Sequence, residues 1–274
     1  MFRAKSPGLH FNTLYMFITH IDTACVLLEI NGYRILTDPT LDKAGHLYYH
    51  GYGAISRKTD DPVLPAGGLN DIDLVLLSHH QHKDNFDHKG RAFIKNVANI
   101  ISTKNASHAI EGITGLDNWE TCSIATPKLP NLRITATPAQ HRPAWIPEFI
   151  SGKVIGFIIE FDGQKNGVIY ISGDTVYFKG IDEVASRYKI DVGIVHVGAV
   201  QFRYLSGAGK YTMDSKDLVK SAGILNPNII IPIHQRGWSH FKEKETHLRQ
   251  ILKEAAATKD KTLFLQSGAR TEIT

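Results

Sequence analysis

Leu76-Leu77-Ser78-His79-His80-Gln81-His82-Lys83-Asp84-Asn85-Phe86-Asp87 is the stretch from which the rest of the chain is best read. It follows an apolar run, Ile72 to Leu77, that predicts a buried strand, and it precedes a segment of helical character from His88 to Asn96. His79, His80, His82 and Asp84 thus fall within six residues at the end of a strand. Neutral imidazoles and carboxylates are the usual ligands of zinc, manganese and iron. Alternation along His80-Gln81-His82-Lys83-Asp84 sends His80, His82 and Asp84 to one side, where a single metal site could gather them. The plain alternative is a polar loop rich in histidine by chance, and the rest of the chain argues against it.

At 274 residues the chain can bury a full core. A composition 42% apolar and 21% charged, with no low-complexity tract, is that of a soluble globular protein. The formal charge of +4 is mild and the basic residues are scattered, so nothing here is a nucleic-acid footprint. Cys25 and Cys122 lie far apart, make no metal-ligand spacing and read as thiols rather than a disulfide framework. Arg3 and Lys5 precede apolar residues that His10, Asn12 and Thr13 interrupt, which makes no clean signal peptide. No run is long enough to span a bilayer, and the expected location is cytoplasmic.

Ala24 to Ile30 and Tyr33 to Thr37 predict two strands joined by Asn31-Gly32, a strong two-residue hairpin signal. Thr37-Asp38-Pro39 ends the second, because proline stops the ladder. Residues 45 to 70 hold seven glycines and prolines and three tyrosines, and are expected to form a long loop, either a lid or a surface insertion. Further strands are expected near Asn99 to Ser102, Leu132 to Thr137, Val154 to Phe161, Val168 to Ile171, Asp191 to Val197, Asn228 to Ile233 and Thr262 to Gln266. Helices are expected over Ile181 to Tyr188, Met213 to Ala222 and Lys242 to Ala257.

The two halves rhyme. Each has a hairpin, a strand opened by Ile-Asp (Ile72-Asp73, Ile190-Asp191), a helix, and then Asn-Ile-Ile (Asn99 to Ile101, Asn228 to Ile230). Such a repeat predicts two β-rich halves with helices outside, packed sheet to sheet. The expected fold is therefore α+β, a four-layer αββα sandwich with two pseudo-symmetric halves in a single domain over residues 1–274.

Chemistry collects where four apolar strands run into loops beginning with His or Asp: the opening stretch, His141, Asp174 and His234. Each of the last three taken alone reads equally as a packed histidine or a turn-capping aspartate. Together they predict one rim of ligand-type residues, because unrelated strands rarely all end this way.

This syntax resembles the metallo-β-lactamase superfamily of metal-dependent hydrolases. The resemblance rests on His-x-His-x-Asp after a buried strand, then single His, Asp and His residues, and it runs from the Leu-Leu-Glu-Ile hairpin to His234. Ser78-His79, Ser172-Gly173-Asp174 and Ile231-Pro232-Ile233-His234 are most similar to a branch of it. That branch holds the ascorbate-phosphate lactonase-like proteins and N-acyl phosphatidylethanolamine phospholipase D. The resemblance implies that His82, His141 and either His79 or His80 hold a first metal. It further implies that Asp84 and His234 hold a second, with Asp174 bridging. Strict spacing favours His80, and the Ser-His opening favours His79. The pattern places a histidine where this chain has Asn85, a poorer zinc ligand, so the second metal is expected to bind more weakly.

The implied cofactor is one or two divalent ions, zinc first, with manganese or iron as alternatives. Such a metal lowers the pKa of bound water and yields a hydroxide nucleophile. Asp84 would orient it or take its proton, and His240, in a loop beyond His234, is the candidate proton donor. His196 is either a supporting partner of the site or a packed strand histidine. Trp145, Tyr177, Phe178, Phe202, Tyr204 and Trp238 could line an apolar pocket, and Arg142, Arg203 and Arg236 could hold a phosphate or carboxylate. The expected activity is hydrolysis of a small-molecule ester, lactone, amide or phosphodiester. A nuclease and a non-catalytic metal-binding protein with a decayed second site are the alternatives, and a homo-oligomer is compatible with everything above.

Overall fold

A computed structural model describes residues 14–273, so the N-terminal stretch around Arg3 and Lys5 lies outside the described residues. The first half begins with β1 (Met16–Asp22), β2 (Cys25–Ile30) and β3 (Tyr33–Thr37), then a separate hairpin of β4 (Leu47–Gly51) and β5 (Ala54–Arg57). It continues with β6 (Leu74–Leu76), α1 (His88–Phe93), β7 (Ile100–Thr103), α2 (Lys104–Ala109) and β8 (Thr114–Leu116). The second half opens with β9 (Thr121–Ile124), β10 (Leu132–Pro138), α3 (Glu148–Ser151), β11 (Ile155–Glu160), β12 (Val168–Ile171) and α4 (Lys179–Arg187). It closes with β13 (Ile190–His196), α5 (Arg203–Ser206), α6 (Ser215–Leu225), β14 (Ile229–Ile233), α7 (Glu245–Glu254) and β15 (Thr271–Ile273).

The repeat read from sequence is a repeat of topology. One sheet has the order β15-β1-β2-β3-β6-β7-β8 and the other β14-β13-β12-β11-β10-β9. In each, three antiparallel strands (β1-β2-β3, β10-β11-β12) are followed by two parallel ones (β6-β7, β13-β14). In the central strands side-chain alternation gives two apolar faces, which separates three cores. Leu28, Ile35, Leu76, Phe157, Ile171 and Ile194 fill the space between the sheets. Leu27, Leu36, Val75, Phe86 and Ala106 pack under α1 and α2, and Tyr170, Val195, Leu218 and Leu248 pack under α4, α6 and α7. Three cores between four layers make the αββα sandwich of the α+β class.

Two sequence expectations are corrected. Residues 45 to 70 do not form a plain loop: β4 and β5 pair as a flap, with Tyr48 turned inward and its hydroxyl donating to Asp42 Oδ2 at 2.9 Å. Thr262 makes only an isolated bridge to Ile230, and the closing strand is β15, paired with β1 of the other sheet. β1, β8 and β9 carry no turn signal strong enough to have marked them. The Asn31-Gly32 turn is as read, with φ of 48° and 80°.

The flap is tied down by a buried cation. Lys58, just past β5, is fully buried, ion-paired to Asp22, and 3.8 Å from Asp87 Oδ2. Removing one partner of a buried pair strands the others, so Lys58→Ala is expected to cost about 3–5 kcal/mol in urea unfolding, and Lys58→Met less, since it keeps the packing. A second measurement concerns His20, held by Ser267 Oγ at 2.9 Å and the carbonyl of Thr23 at 3.1 Å. Burial lowers its pKa to about 4. The unfolded chain therefore takes up a proton near pH 6.5 that the folded chain refuses. Stability contributed by neutral His20 is present above pH 6.5 and lost as pH falls toward 4, by at most about 1.4 kcal/mol per pH unit. His20→Gln is expected to flatten that acid limb in denaturant titrations, and an unchanged limb would contradict the assignment.

Candidate metal centre

The loop after β6 is placed by two contacts from the loop after β3. Ser78 N donates to Asp38 Oδ1 at 2.7 Å, and α1 sits so close to Pro39 that a Cβ on Gly90 would meet its carbonyl at 1.9 Å. Asp87 caps α1, accepting from Gly90 N at 2.8 Å. Between Ser78 and Asp87 the backbone runs in turns, not as extended chain. Alternation therefore does not apply, and His79 and His82, three positions apart, face each other instead. His80 joins neither group of donors: its ring is half-buried elsewhere and its carbonyl accepts from Arg91. The expectation that set His80, His82 and Asp84 on one side is corrected in favour of His79.

The first group is His79, His82 and His141, whose donor atoms all lie within 4.8 Å of one another. His82 Nδ1 stands 3.1 Å from both His79 Nε2 and His141 Nε2. Tetrahedral zinc–nitrogen bonds of about 2.0–2.1 Å set neighbouring nitrogens roughly 3.3 Å apart, close to that spacing. The outer nitrogens are fixed as well. His141 Nδ1 donates to the carbonyl of Tyr211 at 2.9 Å, which leaves Nε2 as a bare lone pair, and His79 Nδ1 is 2.9 Å from Ser78 Oγ.

Asp84, Asp174 and His234 form the second group. Gly173 permits the turn that delivers Asp174, since its φ is 60° and a Cβ would meet the Ile155 carbonyl at 2.5 Å. His234 itself has a φ of 64°, a strained conformation for a non-glycine residue and one that clusters at working sites. Its Nε2 lies 3.6 Å from Asp84 Oδ2 and 3.6 Å from Asp174 Oδ1. Asp84 Oδ1, Asp174 Oδ2 and His234 Nε2 are buried without a hydrogen-bond partner. Buried polar atoms without partners are costly, and a cation is the partner this donor set fits.

His240 Nε2 approaches Asp84 Oδ2 at 2.9 Å, and His196 Nδ1 approaches Asp174 Oδ1 at 2.8 Å while its ring stacks on His234. Asn85 turns into the same space and donates from Nδ2 to Asp174 Oδ1 at 3.4 Å. Sequence reading missed His50, on the flap. Its side chain is 4% exposed, Nδ1 is 3.5 Å from Asp84 Oδ1, and Nε2 is 2.7 Å from Ser56 Oγ. The signal was there in Tyr48-Tyr49-His50, but it was submerged in a segment read as loop.

Electrostatics divides the site. Burial holds the imidazoles of His79, His82 and His141 neutral, with His79 lowered to about 3. For Asp84, burial is outweighed by the imidazoles of His234, His240 and His50 around it, and the carboxyl stays well below its usual range. Burial would lower His234 too, but the Asp174 and Asp84 carboxylates raise it to about 9.

Of the expected aromatics, Phe202 lines the cleft above the donors and Trp238 packs edge-on against His50. Tyr177 lies under Lys220, Phe178 belongs to the outer core, and Trp145 and Tyr204 are exposed. None of the three arginines lines that cleft: Arg142 donates to the Ile146 carbonyl at 2.8 Å, Arg236 contacts His20, and Arg203 is exposed on α5.

A sandwich with His, Asp and His donors gathered at one rim defines a metal-dependent hydrolase of the metallo-β-lactamase fold. Residues 17–234 match the beta-lactamase superfamily domain, and the chain belongs to that family. The UPF0173 metal-dependent hydrolase of Pyrococcus furiosus is 24% identical over 258 residues, covering 93% of this chain and 99% of that protein. The isothiocyanate hydrolase from Delia radicum gut bacteria superposes with a TM-score of 0.76 at 22% identity, covering 93% of this chain and 98% of its own. Igni18, a metallo hydrolase from Ignicoccus hospitalis, gives 0.68 at 18% identity, with 95% and 99% covered. Among the described residues no helix is long and apolar enough to cross a membrane.

Because Asn85 faces Asp174, replacing its amide by imidazole adds a donor to the second group. Asn85→His is expected to tighten the weaker of two metal-binding steps by about tenfold in calorimetry. An unchanged second step would show that position 85 contributes nothing to that group.

Proposed function

We propose that this chain hydrolyses a small molecule with metal held by His79, His82 and His141, and by Asp84, Asp174 and His234. The observation that carries the reading is the meeting of three imidazole nitrogens, two pairs of them at 3.1 Å, beside buried carboxylate oxygens that have no partner. The mixed imidazole and carboxylate donors suit zinc first, with manganese and iron as alternatives. A divalent ion bound there supplies Lewis acidity, polarising the substrate and making water a stronger acid.

The chain's own residues do the rest. Asp84 is held ionised, so its carboxylate is ready to orient a water molecule and take its proton. His240, 2.9 Å from Asp84 Oδ2, is placed to pass that proton onward to a leaving group. Asp174 stands between the two donor groups, and His196 fixes its orientation from the side away from His141. The donor set is intact apart from Asn85, which speaks against a decayed, non-catalytic site. The unpaired thiols of Cys25 and Cys122 fit a reducing compartment such as the cytoplasm.

Elemental analysis joined to a panel of chromogenic esters, lactones, amides and phosphodiesters tests this. Bound divalent metal is expected, together with activity that a chelator abolishes and added zinc restores. His82→Ala and Asp84→Ala are each expected to bring turnover to background while the far-ultraviolet spectrum stays folded. Undiminished turnover in either variant would sink the assignment.

A further inference from the structure

Between the flap and the metal donors lies a narrow cleft. Its walls come from three places. The flap contributes His50 through Ala54, the segment around α3 contributes Ile150, and the segment from Val200 to Tyr211 contributes Val200, Phe202 and Leu205. Apart from the metal-donor side chains, His50 and Ser151, these walls are apolar or aromatic. No lysine or arginine lines the cleft.

Three cations of the surrounding segments are held by their own partners. Lys210 is bound to Asp214 and Asp217 at 2.6 and 2.7 Å, Arg142 holds the backbone of its own loop, and Lys58 is sealed beneath the flap. A phosphate or carboxylate on the non-reacting part of a substrate would therefore shed water and meet no counter-charge, which is strongly unfavourable. An apolar substituent would meet Phe202, Val200 and Leu205 and gain by burial.

From this we infer that the site takes small acyl compounds, an ester, lactone or amide with a compact apolar substituent, and rejects acyl compounds whose substituent carries an anionic group. The inference rests on the hydrolytic reading above and narrows it. Water adds to the acyl carbon, the bond from that carbon to oxygen or nitrogen breaks, and the leaving alcohol or amine departs with a proton. One water is consumed and no other reactant is needed. Phe202 and Leu205 then act as specificity-determining residues, since they meet the substituent and not the metal donors.

The zinc-loaded protein is assayed with p-nitrophenyl butyrate and mono-p-nitrophenyl succinate. The butyrate is expected to exceed the succinate in kcat/KM by about 100-fold, the cost of an uncompensated charge in such a cleft. Leu205→Arg is expected to narrow the gap between butyrate and succinate by about tenfold. Separately, metal-stripped protein is titrated with methyl butyl ketone and with levulinate while the backbone amides of Val200, Leu205 and Tyr211 are followed by NMR. Saturable shifts are expected with the ketone and none with levulinate. Equal or faster turnover of an anionic compound, or tighter binding of levulinate, overturns the inference. If metal binds but no compound is turned over, the hydrolytic reading fails by itself, and the ketone-against-levulinate comparison still decides what the cleft accepts.

Discussion

A carboxylate cut off from water, that of Asp174, sets the terms for the molecule. An ionised carboxylate in such a place is unfavourable unless charge and hydrogen bonds surround it. Here they arrive from every side. His196 comes from the end of β13, Asn85 from the loop after β6, His234 from the end of β14 and His141 from the loop after β10. Both sheets must therefore bring strand ends to one rim. The apolar core between the sheets fixes how far apart those ends stand, so the packing of residues such as Ile171 and Ile194 is felt at the site as geometry.

The pseudo-symmetry explains which strand ends became chemistry. β3 and β12 are equivalent, and each is followed by a buried aspartate, Asp38 and Asp174. Asp174 faces the clustered side chains of His141, His196 and His234. Asp38 instead spends one oxygen on Ser78 N, and burial pushes its carboxyl well above the usual range. His196 lies between them, 2.8 Å from Asp174 and 3.9 Å from Asp38. β7 and β14 divide in the same way: Thr103 at the end of β7 caps a helix, whereas His234 follows β14 as a donor. At these two pairs of strand ends the first half supplies scaffold and the second supplies candidate donors, while the loop after β6 in the first half supplies His79, His82 and Asp84.

Much of this was legible in the chain because it depends on local rules. Asn31-Gly32 needs positive φ, apolar runs ending in His or Asp mark strand ends, and the Ile-Asp and Asn-Ile-Ile echoes mark equivalent strands. What was not legible depended on three-dimensional context. The choice between His79 and His80 turned on whether the loop was extended, and alternation could not say so, because Asp38 and Pro39 force the turns from forty residues away. His50 and Lys58 sit in a segment whose glycines and prolines read as loop. Their importance comes from partners, Asp84 for one and Asp22 and Asp87 for the other, that no spacing rule connects to them.

Those two residues together bear on how the cleft is built. The crossover from β12 to β13 is a plain helix, α4, while the crossover from β3 to β6 has been expanded into the flap. Its base is rigid: Lys58 is sealed against Asp22 and Trp238, Thr59 N donates to the Gly237 carbonyl at 2.8 Å, and Ser239 N to that of Arg57 at 2.9 Å. Its tip is held by less, the Tyr204 hydroxyl on the Gly53 carbonyl at 2.8 Å and the Tyr52 hydroxyl on that of Phe149 at 3.4 Å. Buried ion pairs add little net stability but define position well. Asp87 serves Lys58, caps α1 and receives Asp42 N at 2.7 Å, so the flap base and the loop bearing His79, His82 and Asp84 share one anchor. The tip is thus the least tied part of the flap, while His50 beside it is held by Ser56 and lies against Asp84.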